Sequence, residues 1–296
     1  MRPKIPSGST WPRCILVRVD TYPRQNMRSS AVVAAALIAL AAPALFVARG
    51  IPVFMGLGYA ALAFGLIIAF ARNRVLGRDL SLIAVPLFAI SLISVEANLE
   101  WGNYALMGAV LTLCVVYPYV MSRWVFGDHI VRFPGRPGEP WSRPEWAWLG
   151  AVLVLGYLIL PVYFITSGSY QNWPAVETPS EIARLFVGVG FVGIWDELFF
   201  ICIVFALLRR HFPFWIANGL QAIVFVSFLW ELGYRSWGPL LTLPFALIQG
   251  WIFEKSRSVW YIITVHLLFD VVVFAVLIYA YHPTWLPIFF VAPPTP

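Results

Sequence analysis

Nine continuous apolar runs of about 16–24 residues constrain this chain more than any other feature. Backbone N–H and C=O groups in a bilayer must be satisfied within the spanning structure, which leaves α-helices or a closed barrel. Barrel strands alternate apolar and polar positions over about ten residues; these runs do not alternate. The chain is therefore expected to be an all-α polytopic membrane helical bundle with about nine transmembrane helices. They are placed at about 31–48, 51–71, 80–95, 101–121, 146–166, 185–208, 214–232, 239–253 and 259–281. The eighth is short and the third marginal. A soluble core is excluded by 60% hydrophobic residues, a mean hydropathy of +0.80, 23 Phe and 14 Trp.

Orientation follows from the Lys and Arg bias. With the N-terminus inside, 17 of the 20 basic residues fall on inner segments, and only Arg49, Arg184 and Arg235 fall outside. The net charge of +6 and the pI near 9.4 then describe inner loops facing anionic lipid. A nucleic-acid partner would require a basic stripe with interleaved aromatics, which the sequence lacks. Cys14, Cys114 and Cys202 have no paired spacing and read as packing residues.

The runs divide the chain into a basic tail at 1–29, a four-helix part at 30–122, an inner loop at 123–145, a five-helix part at 146–282 and a terminal tail at 283–296. The stretch Phe133-Pro134-Gly135-Arg136-Pro137-Gly138 is rich in turn formers and cannot continue a helix. In the basic tail, Met27 competes with Met1 as the start of translation.

Charged residues make up only 11% of the chain, yet carboxylates recur in the apolar runs of its C-terminal third. A carboxylate at the centre of a bilayer helix costs roughly 2.5–3.5 kcal/mol on insertion scales. Such a cost is usually offset by ion, proton or bond-cleaving chemistry. Asp196 and Glu197 lie near the middle of the sixth run, about 18 Å from either basic end at 1.5 Å per residue. Being adjacent, they diverge by about 100° on a regular turn and meet at one point only if the helix is distorted. Two acids so close in a low dielectric are expected to leave a protonated acid beside an ionised base, an arrangement suited to activating water. Gly188, Gly190 and Gly193 put a smooth face just before them, suited to close helix packing. Glu231 lies near the outer end of the seventh run. His266 and Asp270, at i and i+4, share one face of the ninth. That face can orient an imidazole with a carboxylate, present two ligands to a metal, or simply tie two helices together. Glu254, beside Lys255 and Arg257, reads as an interfacial charge.

The segments Asp196-Glu197-Leu-Phe-Phe, 225–233, 250–258 and His266-Leu-Leu-Phe-Asp270, in this order, resemble the CAAX protease and bacteriocin-processing family, also called the abortive-infection family. The likeness covers residues 185–278. It implies an intramembrane endopeptidase in the bacterial inner (plasma) membrane, acting on a membrane protein or peptide; the charge bias puts its N-terminus on the cytoplasmic side. The family's first motif, Glu-Glu-x-x-x-Arg, is matched by Asp196 and Glu197, with Ile201 at the Arg position. The second-motif His position falls on Glu231, and the third motif is intact as His266 and Asp270. Carried over, Asp196 or Glu197 would be the base that activates water, and His266 with Asp270 would polarise the scissile carbonyl. Glu231 would be an orienter or second base.

The site residues expected from sequence are thus Asp196, Glu197, Glu231, His266 and Asp270. No cofactor is required on this reading. A divalent metal held by Glu197, Glu231, His266 and Asp270 is the variant, although no His-Glu-x-x-His is present and one imidazole is few for zinc. The altered Arg and His positions also fit a catalytically inactive scaffold or immunity protein, and buried acids alone fit a proton-coupled transporter.

Overall fold

The computed structural model of the chain describes residues 29–135 and 140–292. The expectations for the basic tail, Met1, Cys14 and Met27 lie outside the described residues. Nine helices follow one another within them: α1 Ser29–Val47, α2 Pro52–Arg72, α3 Arg74–Ser91, α4 Trp101–Phe126, α5 Arg143–Thr166, α6 Pro179–His211, α7 Phe214–Leu232, α8 Pro239–Ser256 and α9 Val259–Tyr281. No strand occurs among the described residues. Seven of the helices are long and apolar enough to cross a membrane; the other two, α3 and α8, are the runs that sequence marks as marginal and short.

Helix starts follow local chemistry rather than the apolar runs alone. Asn73 caps α3 by accepting the Val75 N–H at 2.8 Å, so this helix begins with a basic turn well before its apolar stretch. Thr178 and Glu181 form a reciprocal capping box with Pro179 in the first turn, starting α6 earlier than its apolar run. Ser142 and Glu145 do the same for α5. An apolar scan misses such polar first turns.

The centre of the bundle is α6. It is α-helical to Asp196, a π-helix over Glu197–Phe205, and α-helical again to His211. Around the π segment pack α4, α7, α8 and α9. The Trp195 indole donates to Leu111 O at 2.7 Å and stacks on Phe199, fixing α6 against α4. Outer helices turn apolar side chains outward, among them Val53, Phe64 and Ile67 on α2, Leu113 on α4 and Val154 on α5. Lipid, not water, suits that face. Cys114 and Cys202 are buried and unbridged.

Polar groups gather at two ends. At one, Arg49 pairs with Glu231 at 2.5 Å, Arg235 pairs with Glu96, and Arg184 donates to Leu99 O while lying over the Trp101 ring. These are the three arginines that the charge bias leaves on the outer side. Each bonds a residue from the other side of the loop that divides the chain. At the opposite end, Arg209 meets Glu254 at 3.1 Å, Arg210 meets Asp128 at 2.7 Å, and His211 meets Asp79 at 2.6 Å.

Candidate functional site

On α9, His266 and Asp270 sit one turn apart, with Asp270 Oδ1 3.8 Å from His266 Nε2. Facing them on α6 is Gly193. A Cβ there would stand 1.9 Å from Asp270 Oδ2 and 3.2 Å from His266 Cδ2, so glycine leaves the space that these two side chains occupy. One turn further on, Glu197 Oε1 lies 2.7 Å from His266 Nδ1, and Asp196 Oδ2 lies 3.7 Å from His266 Nε2. The two adjacent acids do not point to one spot. They address opposite nitrogens of one ring, and α6 changes from α to π geometry at Glu197. Such widened turns occur mostly as local insertions, often at functional sites.

A third wall comes from α8. Gln249 Nε2 donates to Glu197 Oε1 at 2.6 Å and to Ile262 O at 3.3 Å. The register of α8 is held by α7: Asn218 Nδ2 donates to Leu247 O and Gln221 Nε2 to Ala246 O, both at 2.9 Å. Gly250 makes room for this, since a Cβ there would meet Asn218 Oδ1 at 2.0 Å. Phe245 meets the His266 ring edge-on at 5.1 Å. Glu197, Gln249, Asp196, His266 and Asp270 are all at least 94% buried. Even so, Asp196 Oδ1, Glu197 Oε2, Gln249 Oε1 and Asp270 Oδ2 have no hydrogen-bond partner among the described residues. Buried acceptors left in this state are costly in a merely structural cluster.

Gly193, Asp196, His266 and Asp270 line part of a cavity of about 370 Å³. Its walls run between α4 and α6, from Leu99 and Arg184 at one end to Asp196, His266 and Asp270 at the other. Arg184 and Asp196 are twelve residues apart on a regular helix, about 18 Å. Glu197 and Gln249 do not line the cavity; they stand behind the imidazole, whose Nε2 edge is turned toward Asp196 and Asp270. The arrangement has the parts of a carboxylate-oriented histidine with two further acids on its free side.

Four of the five residues singled out by sequence therefore meet: Asp196, Glu197, His266 and Asp270. Glu231 does not join them through any hydrogen bond or ion pair. It is 98% buried, bound to Arg49 from the α1–α2 turn, with the Val95 N–H at 3.4 Å. Its place near the helix end is where a regular α7 puts it, and a basic partner is available there. The oxygen-rich set considered for a divalent ion is accordingly divided, with Glu231 on Arg49 and with Glu197 and Asp270 on opposite nitrogens of His266. Among the described residues no three His, Cys, Asp or Glu side chains are grouped to share a metal. Gln249 is the site residue that sequence reading missed. Its signal was a lone uncharged amide amid the apolar residues of α8, a position where polar side chains usually bond between helices. Ile201, at the family's Arg position, is fully buried in the π segment.

The sequence pattern of the family described as type II CAAX prenyl endopeptidase Rce1-like matches residues 178–272. This stretch begins at the cap of α6 and ends two residues past Asp270, so it contains every group around His266. No curated protein and no solved structure gives a significant match.

Proposed function

We propose that this chain is an intramembrane endopeptidase that cuts a membrane-proximal or C-terminal segment of protein substrates with carboxylate-activated water. The observation that carries the reading is the convergence of Asp196, His266 and Asp270, from two helices, on the wall of a largely apolar cavity. Residues 178–272 are also similar to an endopeptidase family. The bilayer and a membrane protein or peptide are the partners; the basic residues favour a cytoplasmic N-terminus, with the cavity mouth at the outer end.

In the proposed reaction, Asp196 takes a proton from a water molecule as its oxygen adds to the scissile carbonyl carbon. His266, its Nδ1–H donated to Glu197, turns Nε2–H toward the developing oxyanion. Asp270 keeps that edge of the ring facing the cavity. Collapse of the tetrahedral intermediate breaks the C–N bond, and the departing amine leaves with the proton held by Asp196. The products are one carboxylic acid and one amine. Glu197 is then a positioning residue rather than the base, because it lies behind the ring. Gln249 fixes its carboxylate through the 2.6 Å hydrogen bond.

The test is processing of a co-expressed candidate substrate, tracked by comparing membrane proteomes of deletion and wild-type cells for uncleaved segments. Glu197→Gln and His266→Ala are each expected to abolish processing, and unchanged processing in both would refute the proposal. An inactive scaffold is the second reading, favoured by the Glu231–Arg49 pair at the family's His position. It predicts that both variants retain the cellular phenotype.

A further inference from the structure

We propose that Tyr234 is a catalytic residue of this site, its phenol O–H serving as a second hydrogen-bond donor to the oxyanion from the wall of the cavity that Asp196, His266 and Asp270 also line. The assignment rests on the endopeptidase reading and adds a group outside the resemblance's motifs.

Tyr234 follows α7 in the turn that leads to α8, and it lines the same cavity as Asp196 and Asp270. Its position is strongly determined. On one side, Asn172 Nδ2 donates to Gly233 O at 3.1 Å; on the other, Tyr163 O–H donates to Arg235 O at 2.7 Å. The ring is caged by Tyr163 (parallel, 6.3 Å), Phe164 (5.6 Å) and Trp173 (perpendicular, 5.8 Å). Gly233, at φ +144°, brings the turn so close to Trp173 that a Cβ would stand 2.7 Å from its indole nitrogen. All of this packing would serve a phenylalanine equally well.

The hydroxyl is what packing does not explain. The side chain is only 5% exposed, yet its O–H takes part in none of the hydrogen bonds that hold the turn. Unlike Asp196 Oδ1 and Asp270 Oδ2, the phenol oxygen is not sealed off, and it borders the cavity where a bound group can reach it. The phenol also senses the carboxylates of Asp270 and Asp196 across the cavity; burial first, and these charges next, hold it well above the usual tyrosine range. It therefore stays protonated and can only donate toward an anion. A donor held rigidly on a cavity wall, with its capacity unused until negative charge develops, is the arrangement that stabilises a tetrahedral oxyanion. No proton is transferred by Tyr234 in this role; it gives a hydrogen bond as the C=O double bond opens and loses it as the C–N bond breaks.

Tyr234→Phe keeps the caged ring and removes only the donor. Purified wild-type, Tyr234→Phe and Asp196→Asn proteins in micelles are compared on a pool of internally quenched apolar peptides. Two matched pools serve as binding probes: phosphinic pseudopeptides, whose tetrahedral P–O⁻ mimics the intermediate, and reduced-amide peptides, which lack that oxygen. Tyr234→Phe is expected to lower kcat about 10²-fold with KM changed less than about threefold. Phosphinic binding weakens by a similar factor, and reduced-amide binding is unchanged. Wild-type kcat and phosphinic affinity in Tyr234→Phe would overturn the assignment. So would an equal loss on both probes, which marks a packing role. Failure of the endopeptidase reading itself appears differently, as a wild-type protein that cuts nothing or an Asp196→Asn protein that cuts as well, and the assignment falls with it.

Discussion

Replacing Gly193 with alanine tests the site where α6 leaves room for the Asp270 carboxylate and the His266 ring. The new Cβ would lie 1.9 Å from Asp270 Oδ2, and such contacts do not occur below 3.0 Å. Either the Asp270 carboxylate or the α9 backbone must therefore retreat by at least about 1.1 Å. His266 shares that helix face, and its Cδ2, at 3.2 Å from the added atom, has little slack. A misplacement of about 1 Å in a reacting constellation costs on the order of 10²-fold in rate. The helix itself gains, since alanine is favoured over glycine in a helix interior by about 1 kcal/mol. Gly190→Ala is the control, because its Cβ would meet only Leu267 Cδ2 at 3.7 Å, an ordinary contact. The assay is cleavage of the quenched peptide pool alongside thermal unfolding in the same micelles. Gly193→Ala should lose about two orders of magnitude in kcat while unfolding cooperatively, and Gly190→Ala should match wild type. Full activity in Gly193→Ala would show that the α6–α9 distance does not set the chemistry.

Other expectations follow from the ion pairs and the buried amide. Arg49→Gln strips the counter-charge from a nearly inaccessible Glu231; breaking one side of a buried pair costs up to about 3–5 kcal/mol, less here because Arg49 is 28% exposed. A lowered melting temperature that Arg49→Leu with Glu231→Leu largely restores would support a bracing role, and loss of activity without loss of stability would contradict it. Gln249→Met should reduce kcat about tenfold with little change in KM, since one hydrogen bond to the positioning carboxylate is lost; an unchanged rate would remove Gln249 from the site. At the opposite end, burial raises the Asp128 carboxyl, but hydrogen bonds from Arg210, Ser122 and the Ile130 N–H outweigh it and hold the group below its ordinary value. Its stabilising contribution is therefore complete above the unfolded carboxylate range and lost as pH falls through the lower folded value. Asp128→Asn should melt earlier than wild type at pH 7 and alongside it in strong acid; an equal gap at both would refute the linkage.

The helices were legible because lipid imposes one rule on every spanning segment, and seven of the nine are long and apolar enough to meet it. Helix starts were not, since the caps at Asn73 and Thr178 use polar turns that hydropathy ignores. His266 and Asp270 could be placed together from their spacing alone, because a regular helix fixes which side chains share a face. Asp196 and Glu197 diverge as the same arithmetic requires, and what it did not show is that one imidazole, with its two edges, can take both. Glu231 was expected in the site, but Arg49, distant in sequence, supplies the partner it has. Gln249 carries no charge and so gave no alarm. Its role depends on the register of α8, which Asn218 and Gln221 set through contacts that a linear pattern does not encode.

The nine π residues of α6 act as a phase adjuster between distant groups. Upstream, Asp196 must face the α9 imidazole; downstream, Arg209, Arg210 and His211 must meet Glu254, Asp128 and Asp79. Deleting a single residue between Leu198 and Phe205 would rotate one set against the other by roughly a quarter turn. Length within this stretch is therefore constrained more tightly than composition: apolar exchanges can be absorbed, whereas one insertion or deletion would uncouple the far anchor from the reacting end.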